Sequence, residues 1–329
     1  MNHPARSVAL AAVLLIGSRS ASAQHGSLIV VSNEAAHSIT LVDARTLRVL
    51  RTIAVPQRPR GIVFSPDGKS IFVALSDTQK HVHGSGDAIV SIDVAAGRIS
   101  KVFPAGSDPE RFVITPDGKK MYAANEDGSS ASATDIATRK IVATLVVGIE
   151  PEGVAVSPDG RWVYVTAETS NSVSVIDTKA DRVVANFLVD VRPRSVAFSP
   201  DGSRAYITAE IGGTLTVVDT RTRTIVTTIP LERRQGKPVG VVVSPEGKWV
   251  YVANGNAGVV SIIDATRNVV AGRVAVGKRP WGIAISPDGR TLYTADGLSD
   301  QMSVIDVPSR RVRATVKVGH QPWGVAVSP

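Results

Sequence analysis

The chain has 329 residues, no cysteine and a formal net charge of +8. Without cysteine it forms no disulfide and offers neither a thiolate nucleophile nor a cysteine-based metal site. The positive charge is mild, and no basic run interleaved with aromatic residues occurs, so the sequence argues against nucleic-acid binding and favours anionic partners or ligands.

The first residues have the pattern of a secretion signal. Arg6 precedes an uninterrupted apolar run over residues 8–16, and Ala21-Ser22-Ala23 follows as a small-x-small cleavage pattern. We therefore predict a cleaved signal peptide over residues 1–23 and a mature chain in the periplasm. The apolar run is shorter than the roughly 20 residues that span a bilayer, so no integral membrane segment is expected after cleavage. A retained N-terminal helix is the alternative.

The remainder is built from one repeat of about 42 residues. A Ser-Pro-Asp-Gly type turn recurs with its proline at Pro66, Pro116, Pro158, Pro200, Pro245, Pro287 and Pro329. An aspartate that closes an alternating apolar run recurs at Asp43, Asp93, Asp135, Asp177, Asp219, Asp264 and Asp306. Two markers that keep phase along the chain indicate one structural unit copied many times.

One copy contains four short segments rich in Val, Ile and Tyr, separated by turn residues. They are predicted as strands at residues 153–157, 162–167, 172–177 and 182–189. Four antiparallel strands per copy form one blade of a β-propeller. An aromatic residue, Tyr in five copies and Phe72 in the second, always follows the turn proline by six residues, which indicates packing and not catalysis.

The ends of the chain complete each other. Residues 28–32, 38–43 and 49–55 match the second, third and fourth strands of a copy, and residues 324–328 match the missing first strand. We therefore predict an all-β, seven-bladed propeller over residues 24–329 as one domain. Its ring is closed by three strands from the N-terminus and one from the C-terminus, which leaves no inner edge unpaired.

The repeat resembles a known family. Tyr164-Val165-Thr166-Ala167 and Tyr251-Val252-Ala253-Asn254 resemble the YVTN-type β-propeller repeat. The repeat number, the signal and the segments Arg279-Pro280-Trp281-Gly282 and Gln321-Pro322-Trp323-Gly324 are similar to exported seven-repeat propellers associated with PQQ-dependent alcohol catabolism. The resemblance implies a non-catalytic periplasmic binding or scaffold protein, accessory to that catabolism and its transport, with no organic cofactor; we expect a monomer.

The predicted top face, where the loops between strands two and three and between blades lie, is the candidate site. Both departures from the period, at residues 76–87 and 231–237, fall there, although neutral loop drift is an alternative. Glu34, Glu126, Glu168 and Glu210 end the second strands. The residues predicted to bind a partner protein or a small anionic or organic ligand are Arg58, Arg60, Glu110, Glu152, Arg192, Arg194, Lys237, Arg279, Trp281 and Trp323. A solvated ring of charges is the alternative.

Histidines on the same face suggest a metal site. The candidate ligands are His37, His81, His83 and His320, which map to the top loops of the first two blades, although His-x-His has no fixed ligand spacing behind it. Loop histidines without a metal are the alternative.

The motifs of nucleophilic hydrolases, zinc proteases, phosphate-binding loops and haem attachment are absent from the sequence. An alternative function is a metal-dependent hydrolase of the lactonase type, with a divalent cation held in the central funnel by Glu34, Glu110, Glu126 or Glu152. A sensor or surface adhesin is a third hypothesis.

Overall fold

The computed structural model describes residues 27–77, 86–231 and 236–329. Within these ranges the chain forms 28 strands and no helix, arranged as seven four-stranded antiparallel sheets. The predicted seven-bladed, all-β propeller is confirmed. The predicted signal peptide, residues 1–23, lies outside the described residues. No helix in the described ranges is long and apolar enough to cross a membrane.

The strands follow one another blade by blade. Blade 1 contains β1 (Leu28–Asn33), β2 (Ser38–Asp43), β3 (Val49–Ala54) and β28 (Pro322–Val327). Blade 2 contains β4 (Pro59–Phe64), β5 (Ser70–Leu75), β6 (Ala88–Asp93) and β7 (Arg98–Pro104). Blade 3 contains β8 (Pro109–Ile114), β9 (Lys120–Asn125), β10 (Ser130–Asp135) and β11 (Lys140–Val146). Blade 4 contains β12 (Pro151–Val156), β13 (Trp162–Ala167), β14 (Ser172–Asp177) and β15 (Arg182–Leu188).

The last three blades repeat the same order. Blade 5 contains β16 (Pro193–Phe198), β17 (Arg204–Ala209), β18 (Thr214–Asp219) and β19 (Thr224–Pro230). Blade 6 contains β20 (Pro238–Val243), β21 (Trp249–Asn254), β22 (Val259–Asp264) and β23 (Val269–Ala275). Blade 7 contains β24 (Pro280–Ile285), β25 (Thr291–Asp296), β26 (Gln301–Asp306) and β27 (Arg311–Lys317).

The two ends of the chain close the ring as predicted. Strand β28 pairs with β1 in antiparallel register, with Ile29 opposite Val327. The amide of Ser328 donates to the carbonyl of Leu28 at 2.9 Å. The first strand of each blade begins earlier than predicted, at a proline such as Pro322. A proline fits there because the first residue of a strand need not donate to the ladder.

The first strands lie side by side around the central channel, and they approach closely because the third residue is usually glycine. A Cβ on Gly153 would lie 2.6 Å from the carbonyl oxygen of Arg194 in the next blade, and one on Gly240 would lie 2.6 Å from that of Trp281. In chain order the seven residues at this position are Gly61, Arg111, Gly153, Ser195, Gly240, Gly282 and Gly324. Arg111 is therefore the one long side chain in this layer.

The core lies between neighbouring blades. The repeated tyrosines are buried, and Tyr164 packs edge-on against Phe198 of the next blade with ring centroids 4.9 Å apart. Burial raises the pKa of Tyr164 to about 12, so the phenol stays neutral at physiological pH. The aromatic residue of each repeat is a packing element, as predicted.

The bottom turns are uniform because their side chains hold the backbone in one conformation. In the turn of blade 4, the hydroxyl of Ser157 donates to Asp159 at 2.5 Å and accepts from the amide of Trp162 at 2.9 Å. Gly160 has φ of 72°, a conformation that glycine adopts without strain. Variation between blades is left to the top face.

Candidate ligand-binding funnel

The central channel opens at the top face into a cavity of 480 Å³, here called the funnel. This volume is within the range of about 300–1,000 Å³ typical of small-molecule pockets. The charged and aromatic residues of its wall are Glu34, Arg60, Glu110, Glu126, Glu152, Arg192, Arg194, Arg279, Trp281 and Trp323. They come from equivalent positions of the repeat, beside the proline that starts each first strand or at the end of a second strand.

Five residues of blades 1 to 3 form what we call the first ionic cluster: Glu34, Arg58, Arg60, Glu110 and Glu126. Glu34 accepts from Arg58 at 3.1 Å and from Arg60 at 3.2 Å. Arg60 also contacts Glu110, and its Nη1 lies 3.6 Å from Glu126. One arginine thus gathers carboxylates from two neighbouring blades.

Five residues of blades 4 and 5 form the second ionic cluster: Glu152, Glu168, Arg192, Arg194 and Glu210. Arg194 Nη1 lies 2.6 Å from Glu152, and Arg194 also contacts Glu168. Arg192 Nε lies 2.5 Å from Glu168 and 3.4 Å from Glu210. Buried ion pairs of this kind hold side chains in fixed positions but add little net stability.

The tryptophans form the aromatic end of the funnel. The ring centroids of Trp281 and Trp323 are 6.2 Å apart, and the two ring planes are tilted by 43° relative to each other. The guanidinium of Arg111 lies 4.6 Å from the Trp323 ring, while Arg194 and Arg279 lie 4.8 Å and 4.7 Å from the Trp281 ring. Arg111 reaches Trp323 from two blades away, because Gly61 in the intervening strand has no side chain.

Donors without partners collect at this aromatic end. Nε and Nη2 of Arg111 and Nε1 of Trp281 are buried and have no hydrogen-bond acceptor in the described part of the chain. Burial lowers the pKa of Arg111 to about 10, with Glu152 opposing this shift and Arg194 adding to it, so Arg111 remains charged at neutral pH. A buried donor without an acceptor costs about 1–3 kcal/mol, which a ligand with acceptor atoms would recover.

The structure brings most of the predicted ligand-binding residues together. Eight of the ten line the funnel, and the other two, Arg58 and Lys237, pair with Glu34 and with Glu210 (Nζ to Oε1, 3.6 Å). Whether these residues bind a ligand stays a prediction. Arg111 is not in the predicted ligand-binding set, although it is exceptional in the sequence: six of the seven copies have glycine or serine at its position.

The predicted histidine metal site is only partly described. His320 Nδ1 lies 2.9 Å from Asp300, and His37 Nδ1 is buried without a partner in the described residues. His81 and His83 lie outside the described residues, so this site stays a prediction.

A group of carboxylates, by contrast, is close enough to hold a metal ion. Ligand oxygens of Asp108, Glu110 and Glu126 lie within 4.8 Å of one another, the one such group found in the described ranges. Two of these residues belong to the predicted alternative set of Glu34, Glu110, Glu126 and Glu152, whereas Glu152 lies in the other ionic cluster.

Family models match the two halves of the chain separately. Residues 189–327 match the model "Lactonase, 7-bladed beta-propeller", and residues 38–185 match the model "Choice-of-anchor I domain". No curated protein matches the sequence at a significant level.

Solved structures agree with the fold over nearly the whole chain. A chain of hydrazine synthase from Kuenenia stuttgartiensis is 25% identical with a TM-score of 0.77, over 86% of this chain and 93% of that one. A proposed 6-phosphogluconolactonase from Bacteroides fragilis is 17% identical with a TM-score of 0.76, over 94% and 99%. A protein of unknown function from Desulfotomaculum acetoxidans is 17% identical with a TM-score of 0.77, over 92% and 98%. The chain is a seven-bladed β-propeller protein, and its C-terminal half is similar to the lactonase propellers.

Proposed function

We propose that this protein is a non-catalytic binding propeller whose funnel takes a small organic anion. The observation that carries the proposal is the set of unpaired donors at the aromatic end, on Arg111 and Trp281. Acceptor atoms of a carboxylate or phosphate would satisfy them, and the charged guanidinium favours an anion over a neutral acceptor.

The other cations of the funnel show why this end is different. Arg58, Arg60, Arg192, Arg194 and Lys237 each have a glutamate oxygen within 4.0 Å. Arg111 and Arg279 have no such ion pair in the described part of the chain, and both lie against the tryptophan rings. The two funnel cations without a carboxylate oxygen within 4.0 Å in the described residues thus both lie at the aromatic end.

The tryptophans indicate the remainder of the ligand. Two tilted indole rings offer apolar faces on which a planar or ring-shaped body can pack, while the two guanidinium groups lie beside them. We therefore expect an anion with a compact apolar or ring-shaped body, of a size that a cavity of 480 Å³ holds.

Tryptophan fluorescence can test this binding directly. The chain has four tryptophans, and replacing Trp162 and Trp249 by Phe leaves Trp281 and Trp323 as the only emitters. Titration with benzoate and with 6-phosphogluconate should give a saturable change in emission. In the same background Arg279→Gln should weaken binding by about 10- to 100-fold, because a hydrogen bond to a charged group contributes about 1.5–3 kcal/mol.

Arg310→Gln is the matched control, since Arg310 lies 5.1 Å from the ring of Trp249, away from the funnel. In the same background it removes the same charge from beside the aromatic ring at position 249, outside the funnel, and should leave the affinity unchanged. Emission that does not respond to either probe, or equal weakening by the two substitutions, would contradict the proposal.

Lactone hydrolysis is a second candidate function, favoured by the lactonase model that matches residues 189–327. A carboxylate would take a proton from water, the water oxygen would bond to the lactone carbonyl carbon, and the ring oxygen would leave and be protonated, which yields a hydroxy acid. The metal-dependent form of this proposal assigns a divalent cation to Glu34, Glu110, Glu126 or Glu152.

A pH-stat assay tests this second candidate. Acid release from glucono-δ-lactone is compared for wild type, Glu110→Gln and Glu152→Gln, with and without Ca²⁺. Turnover that exceeds spontaneous hydrolysis and falls in a glutamate variant supports it. A rate equal to the spontaneous one in both conditions removes it.

The cellular setting is also a proposal. The N-terminal sequence pattern supports export to the periplasm, and the repeat resemblance supports an accessory role in PQQ-dependent alcohol catabolism, with the top face docking a partner protein as a further use. Crosslinking in periplasmic extract should capture a quinoprotein dehydrogenase or a transport component with wild type, and less with a charge-reversed Arg192/Arg194 variant. Equal capture would show that the funnel is not the docking surface.

A further inference from the structure

We infer that a divalent-cation site lies beside the funnel in blade 3, formed by Asp108, Glu110 and Glu126, of which Glu110 and Glu126 line the funnel. The inference does not depend on the organic anion proposed above. It starts from the close approach of the three carboxylates, whose ligand oxygens lie within 4.8 Å of one another.

The unpartnered carboxylate of Asp108 indicates a bound ligand. Asp108 is only 5% exposed, and neither of its carboxylate oxygens has a hydrogen-bond partner in the described part of the chain. Its backbone amide donates to Asp87 at 2.9 Å, so another carboxylate lies beside it where a counter-ion would be expected. A buried carboxylate without a partner is costly unless it binds a cation.

The formal charges of the two ionic clusters can be compared directly. In the second cluster Arg192, Arg194 and the adjacent Lys237 face three glutamates, and Arg111 also interacts with Glu152, so this side of the funnel has no surplus of negative charge. In the first cluster two arginines face three glutamates, and Asp108 makes a fourth carboxylate. The first cluster is therefore short of two positive charges, the charge of one divalent ion.

The ligand atoms indicate which ion. All three side chains offer carboxylate oxygens, which suit the hard cations Ca²⁺ and Mg²⁺ and not zinc or copper. Oxygens on opposite sides of a Ca²⁺ ion are roughly 5 Å apart, since each Ca–O distance is about 2.3–2.6 Å. The spacing here accommodates Ca²⁺, with water from the funnel completing its coordination.

Calorimetry with Ca²⁺ alone tests the site. Wild-type protein, stripped with a chelator, should bind one Ca²⁺ per chain and melt at a higher temperature when the ion is present. Asp108→Asn should weaken Ca²⁺ binding by about tenfold or more, while its melting temperature without Ca²⁺ should be equal to or above that of wild type, because a buried unpaired charge has been removed.

Glu150→Gln is the matched control, since Glu150 occupies the same position before proline one blade further on. It should bind Ca²⁺ like wild type. If Asp108→Asn fails to fold, Glu126→Gln at a half-buried position replaces it with the same expected loss. Absence of Ca²⁺ binding to folded wild type, or unchanged binding in the folded carboxylate variant, would overturn the site and leave the organic-anion proposal untouched.

Discussion

The two ionic clusters share a motif but differ in their environment. Each is organised by an Arg-Pro-Arg segment, Arg58 to Arg60 in blade 2 and Arg192 to Arg194 in blade 5, that faces three glutamates. In the second cluster the glutamate side chains are 2–5% exposed. In the first cluster Glu110 is also only 3% exposed, but Glu34 and Glu126 are 23% and 17% exposed, and Asp108 adds a buried charge.

This difference separates a structural ion-pair network from a site that can accept a ligand. The second cluster, with Lys237 and Arg111 beside it, has no surplus of negative charge, and its glutamates are enclosed. Its energetic role is therefore to hold three carboxylates that would otherwise be costly to bury. The first cluster is open to the funnel and has surplus negative charge, so a bound cation would reduce the repulsion between its carboxylates.

Truncation after Trp323 should have the largest effect and should loosen the first cluster before the second. The deletion removes the last four residues of strand β28, which include buried Val325 and pair with β1. It also removes Gly324, whose amide donates to the hydroxyl of Ser32 at 2.9 Å, and that hydroxyl donates to the carbonyl of Arg60 in β4 at 2.6 Å. Lost apolar burial and ladder hydrogen bonds together cost more than about 5 kcal/mol.

Hydrogen exchange measures the order of loosening. Amides of β4 should lose protection in the truncated chain to a greater extent than amides of β16 across the ring. A truncated chain that melts like the full one would show that the blade assignment is wrong.

Replacement of the central arginine should lower the free energy of unfolding by different amounts in the two clusters. Arg194→Ala leaves Glu152 and Glu168 buried without their main partner and should cost about 3–5 kcal/mol, the usual cost of breaking a buried pair. Arg60→Ala should cost less, about 1–3 kcal/mol, because it leaves one buried glutamate, Glu110, whereas Glu34 and Glu126 can be solvated from the funnel. Urea unfolding of both variants provides the comparison, and an equal or larger loss for Arg60→Ala would contradict the proposed difference.

Calcium should then affect the two variants differently. Arg60→Ala removes a competing positive charge from Glu110 and Glu126, so its Ca²⁺ affinity should exceed that of wild type by about tenfold, equivalent to about 1.4 kcal/mol. Arg194→Ala leaves the first cluster intact and should show the wild-type increase in melting temperature. A larger Ca²⁺ effect in Arg194→Ala would place the cation elsewhere.

The fold could be predicted from the sequence because the same pattern of strands and turns recurs in every repeat. Six copies of the bottom turn and seven of the strand-ending aspartate keep the same phase, and the unmatched strands at the two ends have only each other as partners. The first strands begin two residues earlier than the sequence predicts, because proline is typical of turns but is here the first residue within the strand.

The candidate site could be predicted only as a list of residues. Position in the repeat placed Arg60, Glu152 and the two tryptophans around one funnel, but it did not show which charges pair. Pairing depends on how far a side chain reaches across the channel, and Arg111 reaches Trp323 only because Gly61 leaves the path open. The sequence likewise does not show that the carboxylate of Asp108 lacks a hydrogen-bond partner. The residues before the strand-starting prolines are buried in some blades and exposed in others, so position in the repeat does not predict their burial.

The smallest effect concerns the bottom turns, which should not distinguish the two sides of the ring. Asp67 in blade 2 accepts from Ser65 at 2.6 Å, and Asp159 in blade 4 accepts from Ser157 at 2.5 Å. Replacing either aspartate by Ala should cost less than about 1 kcal/mol at pH 7.

The serine hydrogen bond holds the pKa of each carboxyl below its ordinary value of 3.8. The contribution of each turn is therefore complete above that value, and it is lost as the pH falls through the lowered folded-state pKa. Urea midpoints at pH 7 and in acid should show the same small difference from wild type for both variants, and that difference should shrink in acid. Unequal costs would mean that the asymmetry of the ionic clusters extends through the blades to the bottom face.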